Sequence, residues 1–143
     1  MTIKKLTRVS NEALKNINML LVQLRDDLSG HKAKLANLRD MVKDKRIALI
    51  VVRDGKRIVG MATLYVLQKL GKRVARIEDV IIDTQYRGKG LGTKLIQVVI
   101  ATARAQKAQS LQVNSRPVHV VGNKLYRKIG FRIKETNVYR MKL

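Results

Sequence analysis

Hydrophobic and polar positions change period several times along this chain, and each change marks an element. Ile3 to Val9 reads as a first strand. Ser10 can cap a helix in which Leu14, Ile17, Leu20, Leu21 and Leu24 share one face. The polar break Ser29-Gly30-His31-Lys32 separates it from a second helix carrying Leu35, Leu38, Met41 and Val42. Ile47 to Val52 is continuously apolar, as in a strand covered on both faces. Asp54-Gly55 signals a hairpin, and the strand Ile58–Leu67 contains Gly60, which marks a bulge. Gly71 turns the chain into a strand over Arg73–Asp83. From Gly90 to Lys107 the period is helical, with Leu91, Leu95, Val98, Val99 and Thr102 inward and Lys94, Gln97, Ala101, Arg104 and Lys107 outward. A short strand, Leu111–Asn114, precedes a helix opened by Ser115-Arg116-Pro117, with Val118, Val121, Leu125 and Ile129 inward. Gly130 suits a left-handed cap with Phe131 as its apolar lock, and Ile133–Leu143 reads as a final strand pair around Thr136-Asn137.

The predicted order is β-α-α-β-β-β-α-β-α-β-β. Central hairpins make part of the sheet antiparallel, and the Gly90–Lys107 helix can join two parallel neighbours. The expectation is a mixed α+β, three-layer αβα domain spanning residues 1–143, without repeats or linker. That length supports one core. Cysteine is absent, which excludes disulfides, thiolate metal sites and a cysteine nucleophile. Two histidines, His31 and His119, without a suitable carboxylate cluster give no metal site. With no leader-like start and no membrane-spanning apolar run, a cytoplasmic protein is expected.

Charge changes the picture more. Lys and Arg number 31 against 10 Asp and Glu, a net +21. The basic residues are spread along the whole chain, so the field attracts anions: nucleic acid, phosphorylated substrates or an acidic surface. A basic proteome background explains the same number. Aromatic residues are 3%, too few for a base-stacking platform.

The chemistry concentrates in Val80-Ile81-Ile82-Asp83-Thr84-Gln85-Tyr86-Arg87-Gly88-Lys89-Gly90-Leu91-Gly92. An apolar strand ends at Asp83, a glycine-rich basic loop follows, and a helix begins at once. Glycines let backbone N–H groups approach an anion, and the helix N-terminus adds positive potential. This is a pyrophosphate pocket. Walker spacing fails because Gly88-Lys89 is followed by Gly90, and the dinucleotide fingerprint fails at Thr93. Arg-x-x-Gly-x-Gly, at Arg87, Gly90 and Gly92, resembles the acetyl-CoA loop of the GNAT superfamily of acyl-CoA-dependent N-acyltransferases. Asn123-Lys-Leu-Tyr126-Arg-Lys-Ile-Gly130-Phe131 resembles that family's second signature, and Ile77-Glu78-Asp79-Val80 is similar to the preceding strand in glucosamine-phosphate acetyltransferases.

The resemblance implies the GNAT fold and an N-acetyltransferase that moves acetyl from acetyl-CoA directly to an amine. It places the pyrophosphate on Arg87, Gly88, Lys89, Gly90, Leu91 and Gly92. The backbone of Val80, Ile81 and Ile82 would pair with the pantetheine arm on a splayed strand and polarise the thioester carbonyl. As side chains these three also read as sheet core. Asn123 would contact pantetheine, and Tyr126 would protonate the leaving thiolate; a Tyr covering the core beside Leu125 is the alternative. Glu78 and Asp79 are adjacent acids, expected on opposite strand faces. Relatives carry a base on the face of Arg76 and Glu78, so Glu78 is the candidate base, with a salt bridge to Arg76, Lys72 or Arg73 as the alternative. Asp79 and Arg116 are candidate substrate-binding residues, and His119 reads as a surface or helix-start residue. The expected partner is an amine, anionic or phosphate-bearing amines included, and the protein a monomer or homodimer. A nucleic-acid-associated binding module on the same fold is the competing class.

Overall fold

The computed structural model describes residues 1–24 and 32–143, and the predicted break at Ser29-Gly30-His31 lies outside them. The elements are β1 (Thr2–Lys5), α1 (Asn11–Leu24), α2 (Leu35–Lys43), β2 (Ile47–Asp54), β3 (Arg57–Lys69), β4 (Lys72–Ile82), α3 (Leu91–Ala105), β5 (Leu111–Val113) and α4 (Val120–Ile129). A single 3-10 turn, Thr84–Tyr86, lies between β4 and α3. The five strands pair in the order β1-β2-β3-β4-β5. The first three pairings are antiparallel and β4–β5 is parallel. The mixed sheet with helices on both faces matches the α+β expectation.

Alternation along the central strands sends side chains to two cores. Ile50, Val52, Ala62, Leu64, Ala75 and Ile77 pack with Leu91, Leu95, Ile96, Val99 and Ala103 of α3. Leu49, Val51, Met61 and Ile81 pack on the other face with Ala13, Ile17 and Leu20 of α1 and Leu38 of α2. Ser10 caps α1 as expected, its Oγ accepting the Ala13 N–H at 3.1 Å. The register slips between Val52 and Arg53, opposite Gly60. The Ile58 N–H nearby donates instead to Asn16 Oδ1 of α1, at 2.7 Å.

Two expectations for the C-terminal third are corrected. Pro117 forms a turn and α4 begins only at Val120, so Val118 and Val121 are 71% and 82% exposed rather than inward. Leu125 and Ile129 do pack against the core, and Gly130 takes the left-handed cap at φ +117°. The expected pair over Ile133–Leu143 is not strand: the described sheet stops at β5, and Ile133, Val138, Tyr139, Met141 and Leu143 are exposed. A lone two-stranded hairpin is marginal in water unless a third strand or a helix covers it. Here the three-residue β5 is the sheet's edge, and a groove of about 450 Å³ between α3, β5 and α4 stays open beside it.

Candidate active site

The site begins where β4 leaves β5. The parallel pairing covers only Ala75–Ile77 against Leu111–Val113. From Glu78 to Ile82 β4 continues against β3 alone, so it separates from β5. Val80, Ile81 and Ile82 lie on this diverging stretch. Their side chains are indeed core, with Val80 and Ile82 toward α3 and Ile81 toward α1.

The register against β3 explains the divergence. Met61 faces Ile81 and Thr63 faces Glu78, so β4 spends three residues where β3 advances two. The extra residue is a β-bulge at Asp79, whose φ is +52°. The bulge corrects the expectation that Glu78 and Asp79 lie on opposite faces. Glu78 sits opposite Thr63, and Asp79 Oδ2 lies 3.5 Å from the Thr63 hydroxyl. Both carboxylates therefore share the α1 face of the sheet with Thr63 and Tyr65. Tyr65 is half-buried there, and its hydroxyl pKa is pushed up by burial and by the charges of Asp79 and Glu78. Glu78 also meets Arg76, the ion pair closing to 2.6 Å with both side chains about two-fifths exposed. The predicted salt bridge thus exists, at a partly exposed position where its net contribution is small.

Beyond β4 the chain builds a cradle. Gly88 and Gly90 have φ of +76° and +74°, and a Cβ on either would meet no protein atom within 4 Å. Gly90 is the N-cap residue of α3 and supplies no side-chain cap to the first amides of that helix. Gly92 has a different role: a Cβ there would stand 3.0 Å from Leu125 Cδ1, and the glycine lets α4 approach α3. Arg87 and Lys89 bring charge, Arg87 Nε donating to Ile82 O at 2.9 Å and Lys89 Nζ standing 5.3 Å from the Tyr86 ring centroid. An open backbone cradle with cations at a helix N-terminus fits a pyrophosphate.

Sequence reasoning missed what fixes this loop. Asp83 is buried, pairs with Arg57 at 3.0 Å and accepts the Gln85 N–H at 3.1 Å. Tyr86 donates to Asp54 Oδ2 at 2.9 Å, tying the loop to the β2–β3 hairpin, and Gln23 Oε1 of α1 accepts the Thr84 N–H. The available signal was Asp83 itself, an acid ending an apolar run. Asp83→Asn should leave Arg57 without its counter-charge, cost about 2 kcal/mol of stability, and loosen the loop. The measurements are a denaturant midpoint and coenzyme A affinity by calorimetry; both should fall, the affinity severalfold.

On the opposite face of the sheet from the carboxylates, Tyr126 of α4 packs against the α3 core and meets Phe131 edge-on, with centroids 5.7 Å apart. Burial raises the Tyr126 pKa. Asn123, one turn earlier, donates both contacts of its amide nitrogen to the carbonyls of Arg116 and His119, at 2.9 Å each. In this structure it braces the loop before α4. Arg116 is exposed in that loop, and His119 is the exposed N-cap residue of α4. Glu78 and Tyr126 thus lie on opposite faces of the sheet.

A diverging, bulged β4, a glycine cradle capping the following helix, and a tyrosine on the next helix define one architecture. The profile of the acetyltransferase (GNAT) family matches residues 17–131. The chain belongs to the GNAT family of N-acetyltransferases. It is 35% identical over 113 residues to a glucosamine 6-phosphate N-acetyltransferase of Trypanosoma brucei brucei, covering 76% of this chain and 74% of that protein. A solved acetyltransferase from Trypanosoma brucei superposes with a TM-score of 0.77 at 32% identity, covering 99% of both chains. The fold is also that of glucosamine-6-phosphate N-acetyltransferase from Arabidopsis thaliana, with a TM-score of 0.80 at 20% identity over 98% of this chain and 97% of that one. Among the described residues no helix is long and apolar enough to cross a membrane.

Proposed function

We propose that this GNAT protein transfers acetyl from acetyl-CoA directly to the amine of a phosphorylated aminosugar. The observation that carries the reading is the pair of carboxylates, Glu78 and Asp79, turned onto one face at the β4–β5 separation of a +21 chain. They offer a local negative spot to one ammonium group, while the surrounding field favours an acceptor that also bears phosphate. The naming of the Trypanosoma relative supports the same acceptor class.

The amides and side chains of Arg87, Gly88, Lys89, Gly90, Leu91 and Gly92 would hold the pyrophosphate, and the backbone of Val80–Ile82 would align the pantetheine arm. Acetyl-CoA supplies a thioester carbonyl and a thiolate leaving group. Glu78, directly or through water, takes the proton from the acceptor nitrogen. A backbone N–H of the diverging strand polarises the carbonyl. Tyr126 gives its Oη proton to the departing sulfur, and Asp79 and Arg116 orient the acceptor. No side chain is acylated.

The test compares kcat/KM for glucosamine 6-phosphate, glucosamine and spermine across an ionic-strength series. Glucosamine 6-phosphate should be best at low salt, and its advantage should shrink as salt screens the field. Spermine as the best substrate at low salt would overturn the anionic-acceptor reading.

A further inference from the structure

We infer that Thr63 is a positioning residue for acetyl transfer: its hydroxyl orients the Asp79 carboxylate toward the acceptor, on a sheet face that it shares with Tyr65. The inference rests on the acceptor reading above and extends it to two residues of β3.

Thr63 is 1% exposed and sits in a strand whose neighbours Met61, Ala62, Leu64 and Val66 are all buried and apolar. Valine would fill the same space in the same strand, so packing alone does not call for a hydroxyl here. A buried hydroxyl needs a polar partner or it destabilises the fold. Thr63 Oγ1 points to Asp79 Oδ2, 3.5 Å away. That separation is long for an O–H···O bond, and active-site hydrogen bonds commonly tighten only with substrate present.

Asp79 itself sits in the left-handed region at φ +52°, which disfavours any residue with a Cβ. Two local costs, a hydroxyl in the core and a strained backbone, therefore meet at one carboxylate. Neither serves the sheet, since the bulge interrupts the β3–β4 ladder. Both serve the placing of a second acid beside Glu78. Tyr65, two residues along the same face and opposite Arg76, brings a further hydroxyl near both acids. This face of the sheet thus combines two carboxylates with hydroxyls from β3, a set suited to an ammonium flanked by hydroxyl groups.

The experiment uses Thr63→Val, Thr63→Ser, Asp79→Asn and the double variant Thr63→Val/Asp79→Asn in the full chain. The acceptor is whichever of glucosamine 6-phosphate, glucosamine and spermine the parent acetylates fastest. Thr63→Val should raise the acceptor KM about tenfold, with a smaller change in kcat and none in the KM for acetyl-CoA. Serine restores the hydroxyl and should restore the acceptor KM. In the Asp79→Asn background Thr63→Val should add less than about twofold, because the two act through one contact. Parent-like kinetics of Thr63→Val, failure of serine to restore KM, or an undiminished effect in the Asp79→Asn background would each overturn the inference. Parent-like kinetics of Asp79→Asn would overturn it too; spermine as the fastest acceptor would instead sink the acceptor reading, and no turnover of any of the three amines would sink both.

Discussion

Gly90→Val is expected to abolish coenzyme A binding in a protein that still folds. Gly90 holds φ +74° at the N-cap of α3, and a Cβ there would touch no protein atom within 4 Å. Valine at that angle costs roughly 1–2 kcal/mol if the backbone stays put, a modest part of the roughly 5–15 kcal/mol that keeps a domain folded. Relief comes from rotating the peptide, which turns the first α3 amides away from the pyrophosphate. A retained backbone instead places two methyl groups in the space that the pyrophosphate needs. Either way, affinity by calorimetry should fall by at least about 10²-fold, or about 2.8 kcal/mol. Gly71→Val is the control, because Gly71 has φ +76° in equally open surroundings at the β3–β4 turn. It carries the same backbone strain without the cradle, and its coenzyme A affinity should match the parent. A folded Gly90→Val protein that binds coenzyme A normally would refute the cradle.

The glycine turn and the start of α3 are legible in the sequence because their signals are local. Arg87–Gly92 declares a turn, a charge and a helix start within six residues, and α3 follows with the expected inner face, joined by Ile96 and Ala103. The carboxylate pair was only half legible. Glu78 and Asp79 stood out as acids in a basic chain, but strand alternation sent them to opposite faces. The bulge that unites them comes from the register of β4 against β3, which pairs Thr63 with Glu78 and brings Thr63 to Asp79, sixteen positions away in the chain. No run of residues in β4 announces it, since Asp79 is not a glycine. Thr63 was invisible for a related reason: a threonine in an apolar strand is an ordinary strand residue until its partner is known. At the C-terminus Ile133–Leu143 reads as a strand pair, yet propensity does not supply a pairing partner. Val118 and Val121 fall inward only if Pro117 opens the helix, and the turn at Pro117 removes that premise.

Tyr126→Phe and Glu78→Gln should each lower kcat about 10²-fold while acetyl-CoA affinity is nearly kept. The two losses should differ in their pH behaviour. Burial holds the Tyr126 pKa above the ordinary tyrosine value, so the phenol is protonated throughout the neutral range and can act as an acid there. Its deprotonation would end activity only on the alkaline side, beyond the ordinary tyrosine range. Phenylalanine has no proton to give or lose, so an alkaline fall set by Tyr126 should vanish from the Tyr126→Phe profile, leaving a low plateau. Glu78 acts in the opposite direction. As a carboxylate it accepts the amine proton, and glutamine removes that base. The pair with Arg76 gives a further discriminator. Were Glu78 only a counter-ion, Arg76→Gln together with Glu78→Gln would restore the rate; a base leaves the double variant as slow as Glu78→Gln alone. Single-turnover rates, thiol release and the acceptor KM across pH separate these cases. Parent-like turnover in both single variants would move the proton transfers to other residues.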